Sequence, residues 1–203
     1  MRVFAAVRPP EPVLEHLAGA LVAVGVGGSV RTDAVRWTDP ENWHLTLAFY
    51  GDVPDGSVAE VDAGLAEAAR SSSPFEVRLR GAGVFAHRTL WVGLAGAVDR
   101  MVALGADARD AGEGVVRWED DRVRSRPHLT VARATPSARR RDPRGRRAAE
   151  DPLAAPVHAL SLYEGPTWSV DEVRLVRSEP GRGRGGGPLY TDLARHPLGA
   201  VAA

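Results

Sequence analysis

Apolar side chains recur along this chain at two spacings, one typical of helices and the other of strands. Apolar residues three and four positions apart predict helices at residues 11–24, 55–70 and 98–111. Short alternating or apolar runs bounded by proline or glycine predict strands at residues 2–7, 35–37, 44–50, 75–80, 89–94, 126–132, 157–163, 172–176 and 189–193, with a turn at residues 81–85. These elements do not follow a regular βαβ alternation, so the pattern predicts an α+β fold.

Two of the predicted strands contain the same triplet. HLT occurs at residues 44–46 and again at residues 128–130, one copy in each half of the chain. Because side chains alternate between the two faces of a strand, the histidine and the threonine of each triplet share a face and lie roughly 6–7 Å apart. Both polar groups can then contact one small anion. In the first strand the alternation predicts Leu45, Leu47 and Phe49 on one face and His44, Thr46, Ala48 and Tyr50 on the other.

The repeated triplet supplies the groups that phosphodiester cleavage by acid–base catalysis requires. Neutral histidine accepts a proton from water or a hydroxyl group, and protonated histidine donates one to a leaving oxygen; an unperturbed pKa of about 6.5 allows both near neutral pH. Threonine hydroxyls stabilise negative charge that develops on phosphate oxygens. Two histidines without a suitably spaced carboxylate make a poor zinc site, since three protein ligands are usual. We therefore expect no metal ion and no other cofactor.

The other histidines lack such a companion. We expect His16 on a helix surface, His87 in a turn, His158 on a strand and His196 near the end of the chain. A lone histidine in a strand is more often a hydrogen-bonded structural residue than a catalytic one, so the functional interpretation depends on the repeat.

Composition narrows the class of protein further. The chain has 203 residues, of which 44% are apolar, enough for one large domain or two small lobes. It contains no cysteine, which excludes disulfides, thiol nucleophiles and thiolate metal sites. No apolar stretch approaches the roughly 20 residues of a membrane span, and the first residues lack a signal-peptide core, so we expect a cytoplasmic protein. The formal net charge is zero, so any contact with RNA must be local.

Two segments depart from the regular pattern. Residues 137–151 contain six arginines and no apolar residue larger than alanine, which predicts an Arg-rich mobile loop. The sequence leaves open whether this loop contacts nucleic acid. Residues 181–187 (GRGRGGG) predict a flexible turn, and we do not expect a phosphate-binding P-loop because the segment has no lysine and opens no predicted helix.

Around the two triplets the sequence resembles the two-histidine phosphoesterases, and among them the bacterial RNA 2′,3′-cyclic phosphodiesterases, also called 2′-5′ RNA ligase-like proteins. RWTDPENWHLTLAFYGDV (residues 36–53) and RPHLTVAR (residues 126–133) are similar to the two motif blocks of that family. RVFAAVRPP is similar to its opening strand, GAGVF and LWVGL to its central hairpin, and EVRLVRSEPGRGRGGGPLY to its closing strand and turn. The Arg-rich and glycine-rich segments look longer or more biased than the family pattern, which leaves the choice of substrate open.

The resemblance implies one two-lobed domain over residues 1–203, with two antiparallel sheets and flanking helices around a central cleft and a pseudo-twofold axis. Aromatic faces suit single-stranded RNA, so aromatic residues near the motif blocks are candidates for base stacking. The implied site residues are His44 and His128 as catalytic groups, Thr46, Thr130 and Arg133 as phosphate ligands, and Tyr190, Phe85 and Trp37 as base-stacking residues.

The function expected on this basis is hydrolysis of RNA 2′,3′-cyclic phosphate ends to 2′-phosphates by a monomer. Because the two triplets are alike, they do not show which histidine is the base and which is the acid. We assign His128 to activate water and His44 to protonate the departing 3′-oxygen. By microscopic reversibility the same site could also join a 2′,3′-cyclic phosphate end to a 5′-hydroxyl in a 2′-5′ linkage. Two alternatives stay open: hydrolysis of a small cyclic nucleotide or ADP-ribose cyclic phosphate, and a non-catalytic RNA-binding module whose binding would depend steeply on salt.

Overall fold

The computed structural model describes residues 1–23, 34–116, 126–135 and 151–199. Its α-helices are α1 (Glu11–Ala23), α2 (Val58–Ser71), α3 (Val98–Asp110) and α4 (Ala154–Leu160). Its strands are β1 (Arg2–Val7), β2 (Val35–Trp37), β3 (Leu45–Asp52), β4 (Phe75–Phe85), β5 (Thr89–Gly96), β6 (His128–Ala134), β7 (Glu164–Val170), β8 (Glu172–Glu179) and β9 (Leu189–Pro197). A short 3-10 helix, Pro40–Asn42, lies directly before the first HLT triplet.

The strands within the described ranges form one curled antiparallel sheet of nine strands. Their order is β7-β4-β5-β6-β3-β1-β8-β9, and β2 pairs with β6. The two halves of the sheet meet where β3 pairs with β6 through Leu45 opposite Leu129. The α+β class is confirmed. The two expected sheets are joined into one, and they correspond to its two halves on either side of the β3–β6 pair.

The helices bury their apolar stripes in a main core on one face of the sheet. In α1 the buried residues Val13, Leu14, Leu17 and Leu21 follow the helical period of 3.6 residues. α1 and α4 contact the half of the sheet that contains β7 and β4, whereas α2 and α3 contact β3, β8 and β9. The sheet face away from the helices is thereby left to carry the polar side chains of the triplets.

Strand β1 is buried on both faces, because the curl of the sheet encloses a second apolar cluster. Val3 and Ala5 lie in the main core. Phe4 and Ala6 point the other way and pack with Val176, and Tyr190 covers this small cluster. Since Ala6 lies opposite Thr46 on β3, the second cluster adjoins the first HLT triplet.

The predicted helices are confirmed with small shifts at their ends. The helix expected at residues 11–24 is α1, and its predicted last residue, Val24, lies outside the described residues. The helix expected at residues 55–70 begins with the 3-10 turn Asp55–Ser57 and continues as α2. The helix at residues 98–111 is α3. None of the described helices is long and apolar enough to cross a membrane.

The turn predicted at residues 81–85 is wrong, because β4 continues through it to Phe85. The glycines that suggested a turn instead serve a β-bulge: Gly81 has φ 63°, and the pairing with β5 shifts between Arg80 and Ala82. The chain reverses after Phe85, where Ala86 and His87 adopt φ values of 47° and 54°.

The strand predicted at residues 157–163 is also wrong. Residues 157–160 belong to α4 and residues 161–163 follow its end, so His158 lies on a helix. Leu153, Pro156 and Leu160 are buried at spacings of three and four residues, which is the helical period. A short apolar run does not distinguish a buried helix from a strand. The strand that follows, β7, has no counterpart in the prediction.

Two predicted features of the connections have different outcomes. A turn at residues 181–187 is confirmed, since β8 and β9 are joined there through the 3-10 helix Arg184–Gly186. The Arg-rich loop stays a prediction, because residues 136–150 lie outside the described part of the chain.

Replacing Leu129 with alanine is expected to destabilise the protein by about 3 kcal/mol, since a buried leucine truncation loses transfer free energy and leaves a cavity. Leu129 is fully buried and forms the pair that joins the two halves of the sheet. Urea unfolding followed by circular dichroism measures the change. Leu162→Ala is the matched control, because Leu162 is 93% exposed and its truncation should change stability by less than about 0.5 kcal/mol.

Candidate active site

The two HLT triplets meet at the junction of the two sheet halves. Leu45 lies opposite Leu129, and both leucine side chains are buried in the main core. Because neighbouring residues of a strand point to opposite faces, the histidine and the threonine of each triplet project from the face away from the helices. The antiparallel register sets the histidine of each triplet toward the threonine of the other. The fold therefore brings the four polar side chains to one region of the curled sheet, which we call the cleft.

Each triplet is followed directly by a β-bulge. In β3 the pairing with β1 shifts between Thr46 and Ala48, and in β6 the pairing with β5 shifts between Thr130 and Ala132. A bulge adds one residue to a strand and so changes the face on which later side chains lie. The bulge in β6 places Arg133 opposite Thr89, exposed on the cleft face. Unbroken alternation would have placed Arg133 on the helix side of the sheet.

The bulge in β3 changes the faces predicted for that strand. Ala48 and Tyr50 lie in the main core with Leu45, and the hydroxyl of Tyr50 donates to the carbonyl oxygen of Ala108 at 2.5 Å. Phe49 is 44% exposed and lies under the guanidinium of Arg2, 4.8 Å from the ring centroid. The predicted grouping of Ala48 and Tyr50 with the face of His44 and Thr46 is therefore wrong, because alternation does not anticipate the inserted residue.

Both histidines are held by the same backbone hydrogen bond. Nδ1 of His44 lies 2.7 Å from the carbonyl oxygen of Asn42, and Nδ1 of His128 lies 3.0 Å from that of Arg126. A carbonyl oxygen only accepts, so Nδ1 is the donor in each case. In the neutral ring Nε2 then carries a free lone pair, and in the protonated ring it carries a proton. Each histidine is thus oriented to accept or to donate a proton through Nε2.

The surroundings of His44 favour its neutral form. Its ring centroid lies 4.8 Å from that of Phe4 and 5.3 Å from that of Tyr190. Burial against these rings lowers the pKa of His44, and the charges of His128, Arg8 and Arg133 lower it further, while the hydrogen bond to the Asn42 carbonyl acts in the opposite direction. Burial also raises the pKa of Tyr190.

His128 lies on the other side of the junction, against a second aromatic group. The ring of Phe85 stacks on Trp91 at 5.0 Å and meets the ring of His128 edge-on at 4.8 Å. The indole of Trp91 lies over Gly83, where an added Cβ would come within 2.3 Å of the ring. Glycine at this position therefore lets the aromatic group lie flat on the sheet. Phe85 is 37% exposed and offers a face to solvent.

A pocket open to solvent adjoins His44. It spans about 290 Å³, part of which is open solvent, and is lined by Phe4, Ala6, Arg8, Glu41, Asn42, Trp43, His44, Arg174, Val176, Tyr190 and Asp192. The amide of Asn42 donates to the carbonyl oxygen of Pro188 at 3.3 Å, which ties the segment before the triplet to the start of β9. The pocket has one apolar wall and one charged wall, and Arg174 on the charged wall is paired with Asp192 at 3.0 Å.

The structure brings most of the predicted site residues together. The cleft contains His44, Thr46, His128, Thr130, Arg133, Tyr190 and Phe85. Trp37 is separate, since it packs against the main core opposite Ala132. Among the described residues, no three histidine or acidic side chains lie close enough together to bind a metal ion.

Several residues of the site were not indicated by the sequence pattern. Phe4 encloses His44, Trp91 supports Phe85, and Arg8 faces His44 from the end of β1. The first two looked like ordinary core residues of strands. Arg8 had one usable signal, because a charged residue directly after a buried strand lies at an edge of the core.

The chain is similar in sequence and structure to known phosphodiesterases. Residues 10–91 match the family model described as LigT-like phosphoesterase. The RNA 2′,3′-cyclic phosphodiesterase of Methanothermobacter thermautotrophicus is 35% identical over 166 residues, covering 78% of this chain and 80% of that protein. The protein of the same name from Thermus thermophilus is 31% identical over 206 residues, covering 98% and 90%.

Solved structures share the fold. A crystal structure of a Thermus thermophilus protein matches with a TM-score of 0.66 and 26% identity over 98% of both chains. Escherichia coli LigT in its apo form matches with a TM-score of 0.66 and 24% identity, over 97% of this chain and 96% of that one. On these similarities the chain belongs to the LigT-like phosphoesterase family, which includes the RNA 2′,3′-cyclic phosphodiesterases.

Proposed function

We propose that this protein hydrolyses the 2′,3′-cyclic phosphate ends of RNA to 2′-phosphates, using His44 and His128 as acid and base and no metal ion. The observation that carries the proposal is the matched pair of histidines, each anchored through Nδ1 to the carbonyl two residues earlier. In each ring Nε2 is the nitrogen that we assign to proton transfer. The relatives named RNA 2′,3′-cyclic phosphodiesterase supply the substrate class.

The environments of the two histidines favour His44 as the base and His128 as the acid, the reverse of the assignment made from sequence. A base must be neutral before the reaction, and burial against Phe4 and Tyr190 lowers the pKa of His44. The hydrogen bond that anchors His128 is exposed to solvent, whereas that of His44 is partly buried. Water can therefore hydrate a protonated His128 ring.

The proposed reaction has one displacement step at phosphorus. Nε2 of His44 accepts a proton from water, and the water oxygen forms a bond to phosphorus. The bond from phosphorus to the 3′-oxygen breaks, and Nε2 of His128 donates its proton to that oxygen. Both histidines then return to their starting states by exchanging protons with solvent. The same displacement, with a 5′-hydroxyl in place of water as the nucleophile, would form a 2′-5′ linkage.

The groups around the histidines are suited to hold the phosphate. We assign the hydroxyls of Thr46 and Thr130 and the guanidinium of Arg133 to its nonbridging oxygens, where negative charge increases in the transition state. Arg133 is close enough to the site for its charge to act on both His44 and Tyr190. An arginine fork matches two phosphate oxygens at once.

For the terminal base we propose Phe85 as the stacking surface. Phe85 is exposed, contacts His128 and is supported from below by Trp91. Tyr190 meets the edge of His44 and lines the adjoining pocket, so we assign it to enclosing that histidine as well as to contacting the substrate. Trp37 packs against the core, and no observation gives it a stacking role.

The decisive test incubates the EDTA-treated protein with an oligoribonucleotide that ends in a 2′,3′-cyclic phosphate and resolves 2′-phosphate from 3′-phosphate products. We expect the 2′-phosphate to form in the presence of the chelator. A 3′-phosphate product would contradict the proposed leaving group. If the protein turns over only small cyclic nucleotides or ADP-ribose cyclic phosphate, its substrate is not an RNA end. Salt-sensitive binding of RNA without turnover would indicate a binding module.

The pH dependence of kcat/KM is expected to reflect the lowered pKa of His44. Activity falls on the acid side as the base becomes protonated, so a lowered pKa places this decline below the usual value of about 6.5. Tyr190→Ala exposes His44 to water and should move the decline upward, toward that value. Tyr190→Phe keeps the ring and should leave the decline in place. An acid limb that does not move in Tyr190→Ala would show that burial by Tyr190 does not set this pKa.

A further inference from the structure

We propose that Arg36, which lies beside Arg133, binds the phosphodiester immediately 5′ of the terminal nucleotide, so that the enzyme prefers oligoribonucleotides over cyclic mononucleotides. This inference rests on the proposed function, because it extends the path of the substrate away from the reacting phosphate. It assigns a binding role to Arg36, which is the first residue of the first motif block and has no role among the site residues named so far.

The two arginines lie side by side at the end of the cleft. Arg36 on β2 is directly opposite Arg133 on β6, and Arg133 is in turn opposite Thr89 on β5. Residues directly opposite each other on neighbouring strands project from the same face. Arg36, Arg133 and Thr89 therefore form a row across three strands, with two guanidinium groups and one hydroxyl on the face that carries the catalytic triplets.

Within the described ranges, no acidic side chain pairs with the two arginines of this row. Arg36 and Arg133 are both exposed, and neither forms an ion pair with an acidic side chain in the described part of the structure. Elsewhere on the sheet Arg78 is paired with Glu164 and Arg177 with Glu179. Like charges directly opposite each other destabilise a pair of strands. A bound anion would remove that repulsion.

The position of the row relative to the triplet identifies which phosphate it can hold. Arg133 is close enough to His44 for its charge to act on that ring, and Arg36 lies one strand away from Arg133, roughly 5 Å across the sheet. A guanidinium displaced by one strand spacing from the ligand of the reacting phosphate can contact the neighbouring phosphate. A 2′,3′-cyclic phosphate is the 3′ end of its chain, so the next phosphate can lie only on the 5′ side. Arg133 lies nearer the reacting phosphate, and Arg36 extends the site by one nucleotide.

The test compares Arg36→Gln with the wild type on two substrates, a cyclic-phosphate mononucleotide and a dinucleotide with the same terminal residue. We expect KM for the dinucleotide to rise about tenfold, as is typical for loss of a charge-assisted hydrogen bond, and kcat to be unchanged. KM for the mononucleotide should change less than about twofold. For the dinucleotide, the slope of log kcat/KM against log salt should decrease by about 0.7, the value for one phosphate contact on a single strand.

Arg70→Gln is the charge-matched control, since Arg70 is an exposed residue of α2 on the helix-covered side and should leave both substrates unaffected. Equal losses on both substrates would place Arg36 at the reacting phosphate, and no loss on either would remove it from the substrate path; both results overturn the proposal. Affinities for the 2′-phosphorylated dinucleotide and mononucleotide, measured by calorimetry, give the same comparison without turnover. A wild type that binds the dinucleotide more tightly but hydrolyses neither substrate would contradict the proposed function and leave the inference about Arg36 supported.

Discussion

His44→Ala and His128→Ala are each expected to lower kcat for a 2′,3′-cyclic phosphate end by about 10²–10⁴-fold, the usual contribution of a general acid or base. Each variant loses one proton-transfer group and keeps the threonines that hold the phosphate. KM should therefore change much less than kcat. The measurement is single-substrate kinetics in the presence of EDTA, with circular dichroism to establish that the variants are folded.

A substrate with a better leaving group distinguishes the histidine that acts as the acid from the one that acts as the base. A diester with a nitrophenolate leaving group needs no proton from the enzyme, so loss of the acid should matter little for it. We expect His128→Ala to regain most of its activity on this substrate and His44→Ala to remain impaired. The opposite result would exchange the two assignments. The double variant should be only slightly slower than the weaker single variant, because groups that act in one step are not additive.

His158→Ala serves as the matched control for both variants. His158 is an exposed residue of α4 on the helix-covered side of the sheet. Its removal should leave kcat and KM within about twofold of the wild type. Activity that survives removal of either cleft histidine at near wild-type level would contradict the two-histidine mechanism.

The second large effect is expected from the threonines. Thr46→Val and Thr130→Val should each lower kcat by about 10²-fold, as loss of one donor to a developing oxyanion does in other enzymes. Valine keeps the branched shape and the strand preference of threonine, so stability should change little. Inhibition by inorganic phosphate, measured beside kcat, reports the loss of ground-state binding separately.

The serine variants provide the control for this experiment. Thr46→Ser and Thr130→Ser retain the hydroxyl and should keep most of the activity. If the serine variants lose as much activity as the valine variants, the methyl group is what matters, and the hydroxyl is not the phosphate ligand. The symmetry of the two triplets also predicts similar losses at both positions.

The amino-acid sequence determined the local chemistry of this protein. Triplets at residues 44–46 and 128–130 contain a histidine and a threonine at a fixed offset, and strand alternation places each histidine with its own threonine whatever the rest of the fold does. Helices α1 to α3 and most strands followed from apolar spacing for the same reason, since their periods are properties of short segments.

Packing determined the secondary structure of segments whose apolar pattern suited more than one element. The run around Val157 has apolar residues that suit either a short strand or a helix, and burial of Leu153, Pro156 and Leu160 selects the helix. From sequence alone, Gly81 is typical of a turn. Because β4 pairs with both β5 and β7, Gly81 instead lies at a bulge within a strand.

Tertiary structure alone decided how the site is completed. The bulge after Thr130 turns Arg133 into the cleft, and the pairing of β2 with β6 sets Arg36 beside it. The asymmetry between the two histidines likewise comes from Phe4 and Tyr190, which lie far from His44 in the sequence. These features depend on which strands become neighbours and in what register. No local period encodes that information, because the contacts join residues that are distant along the chain.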